Sequence, residues 1–216
     1  MENERLHDKD IREPLFTFLE ETFGKVRIIE EKMIGRSRAD CIMVTESALV
    51  GIEIKSDADT FTRLATQVTD YDRYYDYNIA AVGVSHVMHI GEHIPPYWGI
   101  ITVENTGDGP DFYLLRKPLR NPYMQPKRKI SILWRPELAA IQEKYRMPRY
   151  ERLGKALVAA KIVEAVPPEA LAREISSQLF ERDYTTIGET IAAYRKEHAP
   201  ARRKTKKKRR AGRRLL

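Results

Sequence analysis

Residues 39–84 constrain the fold of this chain more than any other segment. Two short apolar stretches, residues 39–44 and 48–55, are joined by a tight turn, which predicts an antiparallel hairpin. Residues 60–77 then repeat apolar side chains at i, i+3 and i+4 spacing, the pattern of an amphipathic helix. The continuous apolar run at residues 79–84 predicts a buried strand, reached by the helical crossover and parallel to its neighbour. Together these elements predict an α/β fold with a central mixed sheet flanked by helices.

The remaining elements extend this pattern on both sides. Residues 8–23 carry apolar side chains at helical spacing, and Pro14 is tolerated there only if the helix begins late, near Glu13. Residues 25–34 alternate apolar and charged side chains, as a strand does. The chain is therefore expected to begin with the order α-β-β-β-α-β. Further predictions are a connector at residues 88–96, strands at 98–103 and 112–115, and helices at 130–145, 150–163, 168–180 and 186–196.

Length and composition fit one substantial domain with an appendage. The chain has 216 residues, of which 42% are hydrophobic and 32% are charged, a globular composition. We expect a core over residues 1–128 and a helical region over residues 129–199, packed on or beside that core. Residues 200–216 are expected to be a disordered polybasic tail.

The positive charge of the chain is concentrated in that tail. Residues 202–214 hold ten of the 38 lysines and arginines and no acidic residue. The rest of the chain therefore has 28 basic and 31 acidic residues. A polybasic end binds polyanions by releasing counterions, without sequence preference. A solubilising role is the alternative. The predicted nucleic-acid-binding residues of the tail are Arg202, Arg203, Lys204, Lys206, Lys207, Lys208, Arg209 and Arg210.

Several protein classes are excluded by composition. Cys41 is the one cysteine, so the chain forms no intramolecular disulfide and no multi-cysteine zinc cluster. No run approaches the ~20 apolar residues that a membrane span requires. The charged first ten residues do not resemble a secretory signal. We therefore expect a cytoplasmic protein without a membrane partner.

Three ionisable residues in the hairpin point to chemistry. Glu53 and Lys55 lie two apart on one strand, so their side chains project from the same face. Asp40 lies on the partner strand, near the same end as Glu53. Two carboxylates that converge repel each other unless a cation lies between them, and oxygen ligands favour Mg²⁺ or Mn²⁺. We predict a metal held by Asp40, Glu53 and the backbone carbonyl of Ile54.

The neighbours of these residues have the side chains that phosphodiester hydrolysis uses. Lys55 is placed to orient or deprotonate the attacking water, or to stabilise the phosphate in the transition state. Gln67 and Tyr71 share one face of the following helix and are placed to support Lys55, the water or a phosphate. Arg38 lies two residues before Asp40 and is placed to receive a phosphate.

The spacing of Asp40 and Glu53-Ile54-Lys55 resembles the signature of the PD-(D/E)xK nuclease superfamily. Gln67-x-x-x-Tyr71 is similar to the QxxxY element of its nucleic-acid-processing branch. The resemblance implies a restriction-endonuclease-like core with the element order given above. Ala39 departs from it, since proline stands at this position in the signature. The superfamily also has a helical acidic residue, for which the candidates are Glu20 and Glu21, with Glu30 or Glu31 on the next strand as alternatives.

A closer resemblance covers residues 38–182. Five motifs are similar to those of a family of small bacterial and phage proteins known by a myxobacterial locus tag: Arg38-Ala39-Asp40, Gly51-x-Glu53-Ile54-Lys55-Ser56-Asp57-x-Asp59-Thr60-x-x-Arg63-Leu64-x-x-Gln67, Trp98-Gly99-Ile100, Asn121-Pro122 and Leu133-Trp134-Arg135. That family is assigned to the same fold. The resemblance implies a Mg²⁺- or Mn²⁺-dependent nuclease with Asp40, Glu53, Lys55, Gln67 and Tyr71 as catalytic residues.

The expected partner is DNA, in a repair, recombination, phage or mobile-element setting, with RNA and a homodimer left open. One alternative is a nucleic-acid-binding module on the same fold without catalysis. Another is a structural adaptor in which Glu53 and Lys55 are an ordinary ion pair.

Overall fold

A computed structural model describes residues 6–107 and 109–183 of the chain. Residues Met1–Glu181 form one compact unit, and Arg182–Leu216 form a second, of which only Arg182 and Asp183 are described. Every helix and strand below belongs to the first unit. The helix predicted at residues 186–196 and the basic tail, including Arg202 to Arg210, lie outside the described residues.

Six strands form one mixed sheet in sequential order. The first three strands pair antiparallel, the third, fourth and fifth pair parallel, and the last pair is antiparallel. This confirms the predicted α/β fold with a mixed central sheet. The strands are β1 (Arg27–Ile34), β2 (Ser37–Val44), β3 (Leu49–Lys55), β4 (Tyr77–Gly83), β5 (Gly99–Asn105) and β6 (Pro110–Arg116).

Helices flank the sheet, and four of them follow the last strand. The predicted order α-β-β-β-α-β is confirmed at the start of the chain, and so is the helical character after β6. The helices are α1 (Asp8–Phe23), α2 (Leu64–Tyr74), α3 (Val84–His93), α4 (Pro126–Ile130), α5 (Arg135–Lys144), α6 (Lys155–Ala165) and α7 (Pro168–Phe180).

Two apolar clusters cover the two faces of the sheet. Ile52 and Ile54 of β3 belong to the cluster that also contains Leu15 and Leu19 of α1. The opposite face packs against α2 and the helices that follow β6. Gly51 permits this approach, because a Cβ atom there would lie 2.2 Å from the ring of Tyr75, the C-cap residue of α2, and 2.7 Å from the ring of Tyr71. Side chains that follow Gly51 at every second position of β3 therefore face α2.

Helix α1 begins earlier than Pro14 had led us to expect. Its N-cap is His7, whose backbone N–H donates to the Asp10 carboxylate at 3.0 Å, and Pro14 lies inside the helix. Proline removes one backbone hydrogen bond there. Ile11 and Leu15 of the same helix are fully buried, and this packing offsets the loss.

The connector predicted at residues 88–96 was wrong, because α3 covers most of it. Gly91 and Pro95 suggested a loop, but Gly91 lies within the helix. Asp57 caps the first turn of α3 from 28 residues away, since its Oδ1 accepts hydrogen bonds from Ser85 N at 3.0 Å and from Ser85 Oγ at 2.5 Å. A cap supplied from so far along the chain leaves no local sequence signal.

Within the helix predicted at residues 130–145, helix α5 begins only at Arg135, and residue 130 is the last residue of the preceding helix α4. Pro136 occupies the first turn of α5, where a proline has no hydrogen bond to lose. In the part of the chain that the structure describes, no helix has both the length and the apolar character to cross a membrane.

Candidate functional site

The register of the β2–β3 hairpin brings Asp40 and Glu53 together. The last pair in the ladder is Cys41 with Ile52, and one step further along the two strands Asp40 lies opposite Glu53. The strands do not form a regular pair there. Instead, the side chain of Asp40 accepts a hydrogen bond from the backbone N–H of Ile54, 2.8 Å from Oδ2. The carboxylate of Asp40 thus replaces the missing ladder bond and is held at the end of β3.

Glu53 is fully buried and is held through both of its oxygens. Its Oε2 accepts a hydrogen bond from Tyr71 Oη at 2.7 Å, and its Oε1 accepts hydrogen bonds from Lys55 Nζ and from Gln67 Nε2. Burial, and then the neighbouring charge of Glu53, raise the pKa of Tyr71 well above its usual value. Tyr71 is therefore a neutral hydrogen-bond donor to the carboxylate at ordinary pH.

Lys55 is the cation of this group. Its Nζ lies 2.5 Å from Glu53 Oε1 and 3.2 Å from Gln67 Oε1, and only 5% of the residue is exposed. Gln67 accepts from Lys55 and donates to Glu53, so it bridges the two charged groups. The three side chains form a closed triangle between β3 and α2.

Tyr71 also connects Glu53 to Asp40. Its hydroxyl accepts a hydrogen bond from the backbone N–H of Asp40 at 3.1 Å and lies 3.2 Å from the carbonyl of Ile52. One side chain of α2 therefore contacts β2 at Asp40 and β3 at Ile52 and Glu53. The structure thus brings together five predicted site residues, namely Asp40, Glu53, Lys55, Gln67 and Tyr71.

Asp40 differs from Glu53 in its electrostatics. Burial, and then repulsion from Glu53, raise the pKa of Asp40 from 3.8 to about 7, although the Ile54 N–H, Lys55 and Arg12 act in the opposite direction. Arg12 also pairs with Asp8 and Glu30, so four carboxylates, those of Asp8, Glu30, Asp40 and Glu53, share two cations, Arg12 and Lys55. A divalent ion would relieve the repulsion between Asp40 and Glu53.

Arg12 on α1 is a residue of the site that sequence reasoning missed. Its Nη2 lies 3.6 Å from Asp40 Oδ1, and its Nη1 donates to the Asp40 carbonyl at 3.3 Å. Asp8, one helical turn earlier, accepts from Arg12 Nε at 2.7 Å. The i, i+4 spacing of Asp8 and Arg12 was visible in the sequence. The contact with Asp40 depends on the packing of α1 against the sheet.

The carboxylates open into a cavity of about 630 Å³. Its walls come from α1, the β1–β2 hairpin, the end of β3 and the start of α2. The lining residues are Asp8, Arg12, Met33, Arg36, Ser37, Arg38, Asp40, Glu53, Ile54, Lys55, Asp59, Arg63, Thr66 and Gln67.

The candidates for an additional acid lie at different distances from this cavity. Glu20 and Glu21 are exposed residues near the end of α1 and do not line it. Glu30 reaches the site through Arg12, with Glu30 Oε2 3.6 Å from Arg12 Nη1. Glu31 instead pairs with Arg38, at 3.2 Å, on the outer edge of the hairpin.

Glu31 also interrupts the β1–β2 ladder. It is a non-glycine residue with φ 51°, and the ladder has no pair between Glu30–Cys41 and Lys32–Ala39, where Glu31 lies opposite Asp40. Such backbone conformations cost free energy and persist where the surrounding structure requires them. The irregularity therefore leaves Asp40 without a ladder partner on β1.

The β1–β2 turn is attached to α2 by a residue that the sequence did not single out. Asp70 Oδ2 accepts hydrogen bonds from the backbone N–H of Arg36 at 2.9 Å and from Ser37 Oγ at 2.8 Å. Tyr74 Oη accepts from the N–H of Gly35 at 3.2 Å. Helix α2 therefore holds the turn with one pair of side chains and the carboxylates with Gln67 and Tyr71.

The donor set suits a hard divalent ion. Asp40 and Glu53 provide carboxylate oxygens, and Ile54, whose carbonyl was predicted as a further ligand, lines the same cavity. Across residues 6–107 and 109–183, no three His, Cys, Asp or Glu side chains are grouped to hold a metal. A metal at this site would therefore have two side-chain ligands, and waters or a phosphate would complete its coordination, as Mg²⁺ prefers.

Comparison with known proteins identifies one family. The family model of bacteriophage P4 protein cII matches residues 1–201 of the chain. No curated protein and no solved structure matches. The description of the family states no activity, so the resemblance to PD-(D/E)xK nucleases stays a prediction. The match covers nearly the whole chain, which therefore belongs to the bacteriophage P4 protein cII family.

Proposed function

We propose that this protein is a divalent-metal-dependent nuclease that hydrolyses phosphodiester bonds, with DNA as its principal substrate and RNA not excluded. The observation that carries the proposal is the side-by-side placement of Asp40 and Glu53 with Lys55 at the mouth of the cavity. A buried carboxylate pair with an unmatched negative charge is costly for a fold to keep unless it serves a bound cation.

Asp40 and Glu53, with the carbonyl of Ile54, would hold Mg²⁺ or Mn²⁺. The ion would supply Lewis-acid activation of the phosphate and of the attacking water. Lys55 is the residue that orients the water or stabilises the negative charge that develops on the phosphate. Gln67 and Tyr71 keep Glu53 and Lys55 in place, since each donates a hydrogen bond to Glu53.

The proposal places these residues on a PD-(D/E)xK core, acting in the cytoplasm. The order α1-β1-β2-β3-α2-β4 and the position of both carboxylates at one strand end support that core. Sedimentation velocity of the purified chain would show whether it forms a homodimer. The basic tail would raise affinity for the polyanion through counterion release.

The test is a cleavage panel with the purified full-length chain. Labelled linear, nicked, branched and single-stranded DNA and an RNA strand are incubated with Mg²⁺, with Mn²⁺ and with EDTA. We expect cleavage that requires the metal and that is lost in Asp40→Ala, Glu53→Ala and Lys55→Ala. Lys161→Ala is the matched control, because Lys161 is an exposed lysine paired with Glu164 at 3.0 Å, outside the cavity.

Cleavage that persists in all three site variants would show that the activity belongs to another site or to a contaminant. Cleavage of no substrate, together with DNA binding that weakens steeply with salt, would favour the second candidate function. That candidate is a nucleic-acid-binding module without catalysis. Both oxygens of Glu53 are engaged by side chains of this chain, which is the observation that favours it.

A further inference from the structure

Two arginines in the wall of the cavity have no partner in the described part of the chain. Arg36 and Arg63 both line the cavity and are exposed, and neither side chain forms an ion pair or a side-chain hydrogen bond there. The other cations of the cavity are engaged. Arg12 binds Asp8 and Asp40, Lys55 binds Glu53, and Arg38 binds Glu31.

Arg36 is presented by a turn whose backbone is fixed. Gly35 has φ 55°, and a Cβ atom there would lie 2.3 Å from Asp70 Oδ1, so the position requires glycine. The carboxylate of Asp70 holds the N–H of Arg36, and Tyr74 holds the N–H of Gly35. The side chain of Arg36 thus extends from an anchored point on the hairpin side of the cavity.

Arg63 lines the cavity from a different element. It is the N-cap residue of α2, so the positive end of the helix dipole lies beside it. Thr66, in the first turn of the same helix, also lines the cavity. The segment that leads to Arg63 is closed by Asp59, whose Oδ2 accepts from Ser56 N at 2.8 Å and from Ser56 Oγ at 2.7 Å.

The acidic residues of the cavity do not neutralise these two arginines. Asp8 is bound to Arg12, Asp59 to Ser56, and Asp40 and Glu53 to the groups already described. The two arginines line the cavity from different elements, and no described acidic side chain is bound to either of them. They are therefore suited to bind anions that a ligand supplies. A strand of nucleic acid carries such anions at regular intervals along its backbone.

We propose that Arg36 and Arg63 are phosphate-binding residues that hold the nucleic-acid backbone in the cavity that Asp40 and Glu53 also line. This inference rests on the proposed nuclease function and assigns to it substrate contacts that the sequence pattern did not reveal. The two arginines position the strand by charge, without reading bases. The tail, by contrast, adds affinity without a defined position.

The experiment measures DNA binding as a function of salt in a chain that does not cleave. Full-length Lys55→Ala is the parent, and fluorescence anisotropy follows a short labelled duplex with Mg²⁺ from about 50 to 200 mM salt, the range over which phosphate contacts dominate. Arg36→Gln and Arg63→Gln are each expected to reduce the slope of log K against log salt by about 0.9. The double variant is expected to lose about twice that amount.

Two controls separate charge at these positions from other effects. Arg36→Lys and Arg63→Lys keep the charge and are expected to keep the slope of the parent. Arg128→Gln removes an exposed arginine of α4 that does not line the cavity, and it is expected to leave the slope unchanged. Circular dichroism confirms that each variant is folded.

An unchanged slope in the double variant would overturn the inference, and so would an equal loss in Arg128→Gln. Absence of DNA binding by the parent would overturn it as well. The cleavage panel tests the nuclease function independently of this experiment. If the protein cleaves no substrate but the salt slope of DNA binding falls in the Arg36 and Arg63 variants, the nuclease proposal is wrong and the phosphate contacts are supported. If the protein cleaves DNA but the salt slope is the same in both variants, the nuclease proposal is supported and the phosphate contacts are wrong.

Discussion

In the described part of the chain, two lysine–carboxylate pairs are buried, and they lie at opposite ends of β3. Lys55 lies 2.5 Å from Glu53 at the end of the strand, and Lys129 of α4 lies 2.5 Å from Asp76, beside its start. All four side chains are at most 7% exposed. Each pair also borders a cavity, of about 630 Å³ for the first and about 370 Å³ for the second. Burial, distance and a neighbouring cavity therefore do not distinguish a site from a structural ion pair.

The surroundings of the two pairs differ. Asp76 is joined to the sheet, because its Oδ2 accepts the N–H of Leu49 at 2.8 Å and its own N–H donates to the Leu49 carbonyl at 2.9 Å. The Asp76–Lys129 pair is thus neutral and supports the strand. Glu53 has a second carboxylate, Asp40, beside it, and repulsion between the two contributes to the raised pKa of Asp40. An excess of negative charge at a cavity, rather than a buried ion pair, is what marks the candidate site.

The largest expected effect is on catalysis. In Lys55→Met we expect the cleavage rate to fall by about 10²- to 10⁴-fold, the usual contribution of a general acid–base group. Rates are measured under single-turnover conditions with saturating Mg²⁺. Lys129→Met is the matched substitution at the structural pair, and its folded fraction is expected to cleave at the wild-type rate. Equal rate losses in the two variants would remove the distinction between the pairs.

The next largest effect is on the free energy of unfolding. Here the larger loss is expected at the Asp76–Lys129 pair and the smaller one at the Glu53–Lys55 pair. In Lys129→Met we expect the free energy of unfolding to fall by about 3 to 5 kcal/mol, because Asp76 is left buried without its cation. In Lys55→Met the loss should be smaller, since Glu53 keeps Gln67 and Tyr71 as donors. Urea unfolding monitored by circular dichroism measures both. A larger loss in Lys55→Met would contradict the comparison.

The excess charge at Asp40 predicts a pH dependence of stability in EDTA. Because the pKa of Asp40 is raised from 3.8 to about 7, the folded protein binds this proton more tightly than the unfolded chain. The free energy of unfolding contributed by Asp40 should therefore be fully present below about pH 4 and decline as the pH rises to about 7. Asp40→Asn should remove this decline and stabilise the protein at pH 8 by about 1 to 3 kcal/mol.

Parallel pH profiles for the wild-type protein and Asp40→Asn would show that Asp40 carries no excess charge in the folded state. Added Mg²⁺ is expected to restore stability to the wild-type protein at pH 8 and to leave Asp40→Asn almost unchanged, because a ligand that binds only the folded state stabilises it.

The smallest effect separates Tyr71 of α2 from Tyr75, the C-cap residue of that helix. In Tyr71→Phe the free energy of unfolding should fall by about 1 to 2 kcal/mol, since Asp40 N–H and Glu53 lose a hydrogen-bond partner. Tyr75→Phe is the control. The Tyr75 hydroxyl is buried without a hydrogen-bond partner in the described structure, so its removal should be neutral or stabilising. Thermal and urea unfolding of both variants provide the test.

Much of the site could be read from the sequence because its residues are close together along the chain. Glu53 and Lys55 share a strand face at a spacing of two, and Gln67 and Tyr71 share a helix face at a spacing of four. Those relations are local and follow from backbone geometry. Arg12, Arg36, Arg63 and Asp70 were missed because their roles depend on elements that meet only in the folded chain.

The errors in the predicted elements have the same origin. Helix α3 was predicted as a connector because its cap comes from Asp57, 28 residues earlier. Helix α1 runs through Pro14 because buried apolar side chains outweigh one absent hydrogen bond. Local propensity is a weak prior that tertiary packing overrides.

By itself, the sequence determined the α/β class, the order of the first six elements and the placement of Glu53 and Lys55 on one face of β3, since all of these follow from periodicity. Only the tertiary structure decided that Asp40 lies opposite Glu53, because hairpin register depends on hydrogen bonds between strands. It also decided which cations are engaged and which are free, because ion pairs join residues distant in sequence. The unmatched charge at Asp40 is a property of that assembled environment, and no single segment contains it.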